Sequence, residues 1–395
     1  MVARLGMRRM ARSDRPDLVR RGAVMRSFFR LSPESPDLLH LDMLRLIAAY
    51  AIVLVHFRVN LLAFTGGSPV VYERLYGFAV GVDLFFVISG FVISWVYRDR
   101  LDSGWRYAAF LRKRGARLLP LHWATLLFFV LVGLFSQWSG IESSRPAKYA
   151  WDCLAQNALL LHAFGTCGRS SFNTVSWSIS AEAAMYVLYP LLYLAVTRSP
   201  RAFGASCLCL VVFLQTAPLE PFWVSRTHDL GVLRALPGFC LGVLLFRYRD
   251  RVGRIPCAPA LLAGAIALFV TGVILGWHSG VLVLVAYAIA TLGVAADMRG
   301  RVSPLVRALA PGGRLTYSVY MLHPIVQSLF IVLLGRRILG LEGAALSLWT
   351  LAAFSVVGFV GLISLKLFEE PMRRWMARTG GRGEAAVARD EKFSI

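Results

Sequence analysis

Apolar residues in this chain come in runs of about twenty, parted by short polar segments. That is the length an α-helix needs to cross the hydrocarbon core of a bilayer. Ten such runs are predicted, at residues 43–63, 76–97, 118–138, 176–196, 203–218, 230–247, 258–276, 280–296, 315–335 and 345–368. The fifth and eighth are short and are the weakest of the set. A further apolar stretch, 149–164, is interrupted by Asp152, Gln156 and Asn157 and reads as a buried or interfacial helix rather than a span. The expected fold is an all-α polytopic membrane domain of about ten helices over residues 40–375. A basic, disordered cytoplasmic leader (1–39) precedes it and a cytoplasmic tail (376–395) follows.

The polar segments set the direction of the spans. With the N-terminus inside, the loop 98–117 holds Arg98, Arg100, Arg106, Arg112, Lys113, Arg114 and Arg117, and the segments near 250 and 300 are also arginine-rich. The opposite loops are poorer: 64–75 has Arg74 alone, and 139–175 has only Arg145, Lys148 and Arg169. This bias agrees with ten spans and both termini in the cytoplasm.

Composition supports the same picture. The chain is 57% hydrophobic and only 16% charged, against about 45–50% and about 25% for soluble domains. The net charge of +21 does not indicate nucleic acid, because the basic residues sit in clusters between apolar runs. Residues 1–40 carry nine arginines and no apolar region ending in a cleavage site, so no secretory signal peptide is read there. Cys207, Cys209 and Cys240 lie within spans as small packing residues, while Cys153 and Cys167 share the long loop on the oxidising side, where a disulfide between them is open. No spacing resembles a zinc or haem site, and no metal is expected.

Ionisable residues inside the spans cost at least about 2.5–3.5 kcal/mol each to insert, so they carry the candidate chemistry. The first span, LDMLRLIAAYAIVLVHF, contains Asp42, Arg45 and His56. Arg45 and His56 are close to three helical turns apart, so they share a face and are separated by roughly 16 Å along the axis. Asp42 is an i,i+3 partner for Arg45. The second span carries Asp83 with Ser89, Gly90 and Ser94, a small polar stripe that also reads as close helix packing. Arg114 and Arg117 project together near the head groups and suit phosphate. Glu182 lies about two turns into the fourth helix, with Arg234 of the sixth span as a candidate cation. The ninth span supplies Tyr317, Tyr320 and His323, and Glu369 sits at a boundary as a cap or snorkelling group. A histidine near carboxylates suits acid–base chemistry, and basic residues at one mouth suit a phosphorylated donor. The same groups would also make a proton relay in a transporter or flippase, although no internal repeat of the transporter type is visible.

Arg45-x10-His56, GVDLFFVISGF, Arg114-x-x-Arg117 before Leu-Leu-Pro, SWSISAE and YSVYMLHP, in this order, resemble the acyltransferase 3 family over residues 40–375. The resemblance implies a ten-span O-acyltransferase of a bacterial inner membrane, with no permanently bound cofactor. It would move an acyl group, usually acetyl, from cytoplasmic acyl-CoA to a hydroxyl of a surface or exported polysaccharide, a glycolipid or, in some relatives, an antibiotic. His56 takes the place of the essential histidine and Arg45 that of its paired arginine. Arg114 and Arg117 match the arginines linked with donor binding, and Glu182 matches a required carboxylate. Either Asp83 or Glu182 would orient the imidazole, which acts as general base or accepts the acyl group transiently. Some relatives carry an appended extracytoplasmic esterase domain. About twenty residues follow the last motif here, so the expectation is a stand-alone form, completed within the membrane or by a separate extracytoplasmic partner.

Overall fold

A bilayer offers backbone N–H and C=O groups no water, so a chain that enters it must satisfy them within helices or a closed barrel. The described residues take the first course: the computed structural model, which describes residues 31–98, 101, 103–140, 146–216 and 223–378, contains helices and turns and no strand among them. The leader up to residue 30 and the tail beyond residue 378 lie outside the described residues. Residues 1–32 group apart from Pro33–Ile395, and the architecture below is that of the second unit.

Ten principal helices correspond to the ten apolar runs: α1 (Leu39–Phe57), α2 (Gly81–Tyr97), α3 (Gly104–Ser139), α4 (Trp177–Arg198), α5 (Pro200–Thr216), α6 (Gly231–Arg247), α7 (Ala258–Leu275), α8 (Ser279–Met298), α9 (Thr316–Val326) and α10 (Gly343–Ser364). α9 continues in π-helical winding through Gln327–Ile338, and α10 runs on through Leu365–Glu369 to Arg378. With such extensions, eight helices among the described residues are long and apolar enough to cross a membrane. The exceptions are α5 and α6, of 17 residues each. The eighth helix, expected to be weak, is a full 20-residue apolar span. It is the sixth that falls short, at 17 residues, and it carries Arg234 and is buried along most of its length.

Close packing at the centre explains that burial. Where α2 crosses α6, a Cβ at Gly90 would overlap the Phe239 carbonyl, and one at Gly242 would overlap the Val87 carbonyl. Only glycine lets the two backbones approach so closely, which is how helices associate when lipid gives no hydrophobic drive. The outer surface is apolar in the opposite sense. Leu127, Leu131, Phe135 and Trp138 of α3 and Leu268, Ile274 and Leu275 of α7 are exposed, as side chains solvated by acyl chains should be.

α3 is 36 residues long, about 54 Å, so it extends past the hydrocarbon on at least one side. Beyond its end, the stretch expected to form one buried or interfacial helix is broken into short turns at Trp151–Cys153, Leu154–Ala158 and His162–Phe164. Asn157 turns inward to donate to the Cys153 carbonyl and to Ser171 Oγ, and Leu160 takes a left-handed conformation at φ 56°, which ends helical winding there. Cys153 and Cys167 are joined in a disulfide, with their Cα atoms 5.7 Å apart.

Candidate active site

α1, α2, α3, α4 and α9 enclose a cleft of about 740 Å³, part of it open to solvent. Arg45 enters it from α1, and Arg114 and Arg117, one turn apart on α3, from the facing side. Arg45 keeps Asp42 as its i,i+3 neighbour at 3.6 Å, as the sequence spacing predicts. Between Arg45 and Arg117 stands a carboxylate absent from the expected set, that of Glu34. It accepts from Arg45 Nη1 at 2.5 Å and pairs with Arg117 Nη1 as well. Asp42 holds the Glu34 segment in place by accepting the backbone N–H groups of Glu34 and Ser35 at 2.9 and 3.1 Å. Burial works to raise the Glu34 carboxyl, but the charges of Arg117 and Arg45 outweigh it and hold the group well below the usual carboxylate range. Thus the last residues of the segment read as a disordered leader follow a set path, fixed by these bonds.

Arg114 has a different environment. Its guanidinium lies over the rings of Tyr97 and Tyr186 at 5.1 and 5.8 Å, and its Nε is buried without a hydrogen-bond partner among the described residues. Deeper in, Glu182 Oε1 accepts from Ser89 Oγ at 2.8 Å and from the Tyr186 hydroxyl at 2.5 Å. Arg117 is within electrostatic reach of Glu182, whereas Arg234, the expected cation, is bonded to Asp83. The walls beyond are Phe85, Phe86, Tyr317 and Tyr320, with Ser178 Oγ donating to the Tyr320 hydroxyl at 2.8 Å.

His56 lies past the inner end of this cleft and does not line it. Its imidazole is in ring contact with that of His323, the centroids 4.7 Å apart, and the His323 ring in turn meets Tyr320 at 6.0 Å. The order from the mouth inward is therefore arginines, Glu182, Tyr320, His323 and His56. Gln327 Nε2 donates to the His56 carbonyl at 2.8 Å, tying α1 to the π-helical part of α9.

Asp83 is placed elsewhere. Its two carboxylate oxygens accept from Arg234 Nε at 3.2 Å and Nη2 at 2.7 Å, at the α2–α6 crossing. Arg234 completes its bonding at the carbonyls of Val224, Arg226 and Ala79 and lies over the Trp177 ring. Of the residues singled out in the sequence, Arg45, Arg114, Arg117 and Glu182 thus share one cleft, His56 stands beyond its floor, and Asp83 belongs to a buried pair between helices. Glu34, Tyr186 and His323 are the functional candidates that spacing along single helices could not assign. No cluster of three or more histidine, cysteine or acidic side chains suited to a metal occurs among the described residues.

Residues 38–366 match the acyltransferase 3 family, whose shared region is described as an acyltransferase domain. A relative, acyltransferase MdmB of Streptomyces mycarofaciens, is 27% identical over 334 residues, covering 76% of this chain and 82% of its own. No solved structure matches the chain significantly. The family match spans most of the sequence, and the chain belongs to the acyltransferase 3 family.

Proposed function

We propose that this multi-pass membrane acyltransferase is an O-acyltransferase that draws its acyl group, acetyl in the simplest case, from cytoplasmic acyl-CoA. The acceptor is a hydroxyl of a surface or exported polysaccharide or glycolipid, and the membrane is the bacterial inner membrane. The observation that carries this reading is the cleft mouth. Arg45 and Arg117 already grip a carboxylate, and Arg114 beside them has a donor to spare. Such a set suits the phosphates of a coenzyme, since guanidinium forks match phosphate oxygens. The aromatic walls beyond suit the pantetheine arm.

Sidedness supports the same reading. From Arg117 to the end of α3 at Ser139 is about 33 Å, so the disulfide-bonded loop is at the far end from the arginines. Disulfides persist in oxidising compartments, which supports reading that loop as outside and the arginine mouth as cytoplasmic.

In the reaction, the acceptor O–H breaks as the new O–C bond forms at the thioester carbonyl. His56 takes the proton as general base, the C–S bond breaks, and the proton returns to the coenzyme sulfur. Glu182, fixed by Ser89 and Tyr186, balances the arginines along the donor's path. Asp83 serves by holding Arg234 and the α2–α6 crossing. A proton-coupled transporter has less support, because Asp83, one of the groups its relay would use, is saturated by Arg234.

Membranes of the native host, which contain the acceptor whatever its structure, provide the test. With His56→Ala the protein should bind acetyl-CoA normally yet release no coenzyme thiol, and O-acetyl signals should vanish from the envelope glycans by NMR. Undiminished turnover by that variant would remove His56 from the mechanism.

A further inference from the structure

His323 is fully buried, at 0% exposure, in the middle of α9. Among the described residues neither ring nitrogen meets a partner in good hydrogen-bond geometry, although the carbonyls of Val319 and Tyr320 in the preceding turn are close by. The Tyr320 carbonyl has no helical donor to receive, because the residue four places on is Pro324, which lacks an N–H. A buried imidazole costs about 1–3 kcal/mol for each hydrogen bond it fails to make. An apolar residue would avoid that cost in a helix otherwise packed among Val319, Met321 and Val326.

The position of the ring suggests what offsets it. His323 lies between Tyr320, at the inner end of the cleft, and His56, whose ring it touches at a centroid distance of 4.7 Å. We propose that His323 is a positioning residue for acyl transfer: in the substrate-bound enzyme one of its nitrogens hydrogen-bonds the His56 imidazole, so that the other nitrogen of His56 is held toward the acceptor hydroxyl. The remaining His323 nitrogen is then a donor to the carbonyls of its own preceding turn. That bond fixes the tautomer of His323 and, through it, that of His56. A second imidazole thus does for His56 what a carboxylate does in a triad. The inference rests on the reading of His56 as the base. The proton account is unchanged: one proton passes from the acceptor hydroxyl to His56 and on to the departing coenzyme sulfur, and His323 gains and loses none.

The experiment compares His323→Phe, which fills the space without a nitrogen, with His323→Gln, which keeps a donor and an acceptor. Both are assayed as full chains in host membranes by thiol release from acetyl-CoA. His323→Phe should lose about 100-fold in kcat, the lower end of what a general base supplies, with the KM for acetyl-CoA unchanged. His323→Gln should retain most of the lost rate and displace the acid limb of the kcat–pH profile. A packing role would leave that limb where it is in both variants. The inference is overturned if His323→Phe stays within about threefold of the wild-type kcat, or if His323→Gln is active with an unshifted pH profile. Should His323→Phe fail to accumulate, the pH profile of His323→Gln decides alone. His56→Ala, run alongside, separates the two claims. An active His56→Ala refutes the base, whereas an inactive His56→Ala beside a fully active His323→Phe refutes only the positioning.

Discussion

The Asp83–Arg234 pair and the arginines of the cleft mouth differ in how completely they are satisfied. At the α2–α6 crossing, Asp83 and Arg234 are 0% and 1% exposed, bonded to each other through two contacts, and Arg234 is further bonded to three carbonyls. At the cleft mouth, Arg45 and Arg117 keep 16% and 21% of their side-chain surface, share one carboxylate, and are accompanied by Arg114 with an unfilled donor. The first arrangement is closed, and nothing could bind there without breaking it. The second has more cationic donors than protein acceptors. In a low-dielectric interior such an excess is a binding site rather than a brace. Burial of charge alone does not separate structure from function; the balance of partners does.

The contrast breaks most sharply at the closed pair. Asp83→Ala leaves Arg234 buried and uncompensated, a loss of about 3–5 kcal/mol. It should reduce the amount of protein surviving detergent extraction and gel filtration. Asp83→Leu combined with Arg234→Met should be less damaging than either single change, since the buried charge goes with its partner. Changes at the mouth should do the reverse. Arg114→Ala with Arg117→Ala should weaken acetyl-CoA binding at least about 100-fold, from hydrogen bonds to charged groups worth about 1.5–3 kcal/mol each, with the yield of folded protein unchanged. If donor affinity survives while the fold fails, the two sites have been assigned the wrong way round.

Such assignments were only partly legible in the sequence. The ten helices follow from apolar runs, and Arg45 and His56 were placed on one face because a single helix has a fixed pitch. Spacing within a helix, however, is silent about which helices touch. Asp83 finds Arg234 across 151 positions, Arg117 finds Glu34 across 83, and His323 reaches His56 from the ninth helix. Glu34 had a local signal, an acidic SPESPD segment at the edge of the first span, but its role depends on folding back over α1 through Asp42. The sixth helix looked like an ordinary span because hydropathy does not register how tightly Gly90 and Gly242 bring it against α2.

A smaller effect should come from the disulfide-bearing end of the bundle. His162 is buried beside His122, and that burial, followed by repulsion from His122, lowers its imidazole to about 4. The folded state therefore favours the neutral form, and the unfolded chain takes up the proton first as pH falls. The contribution of His162 to stability is complete above about pH 6.5 and is lost progressively down to about pH 4. The thermal midpoint should drop across that window, and His162→Asn should flatten the drop without altering donor affinity. Smallest is the effect of Glu34→Gln. It removes the carboxylate that competes with the donor for Arg45 and Arg117, a partly exposed network worth about 0.2–1 kcal/mol per pair. Acetyl-CoA should bind about two- to fivefold more tightly, and the gain should shrink in high salt.

The most direct test of the donor site is the structure of the full chain with acetyl-CoA bound. The coenzyme phosphates should lie against Arg45, Arg114 and Arg117 with the Glu34 carboxylate displaced. The thioester should pass Tyr320 toward His56, and the Asp83–Arg234 pair should be unmoved. A coenzyme seated anywhere else, with Glu34 still between its two arginines, would contradict the account.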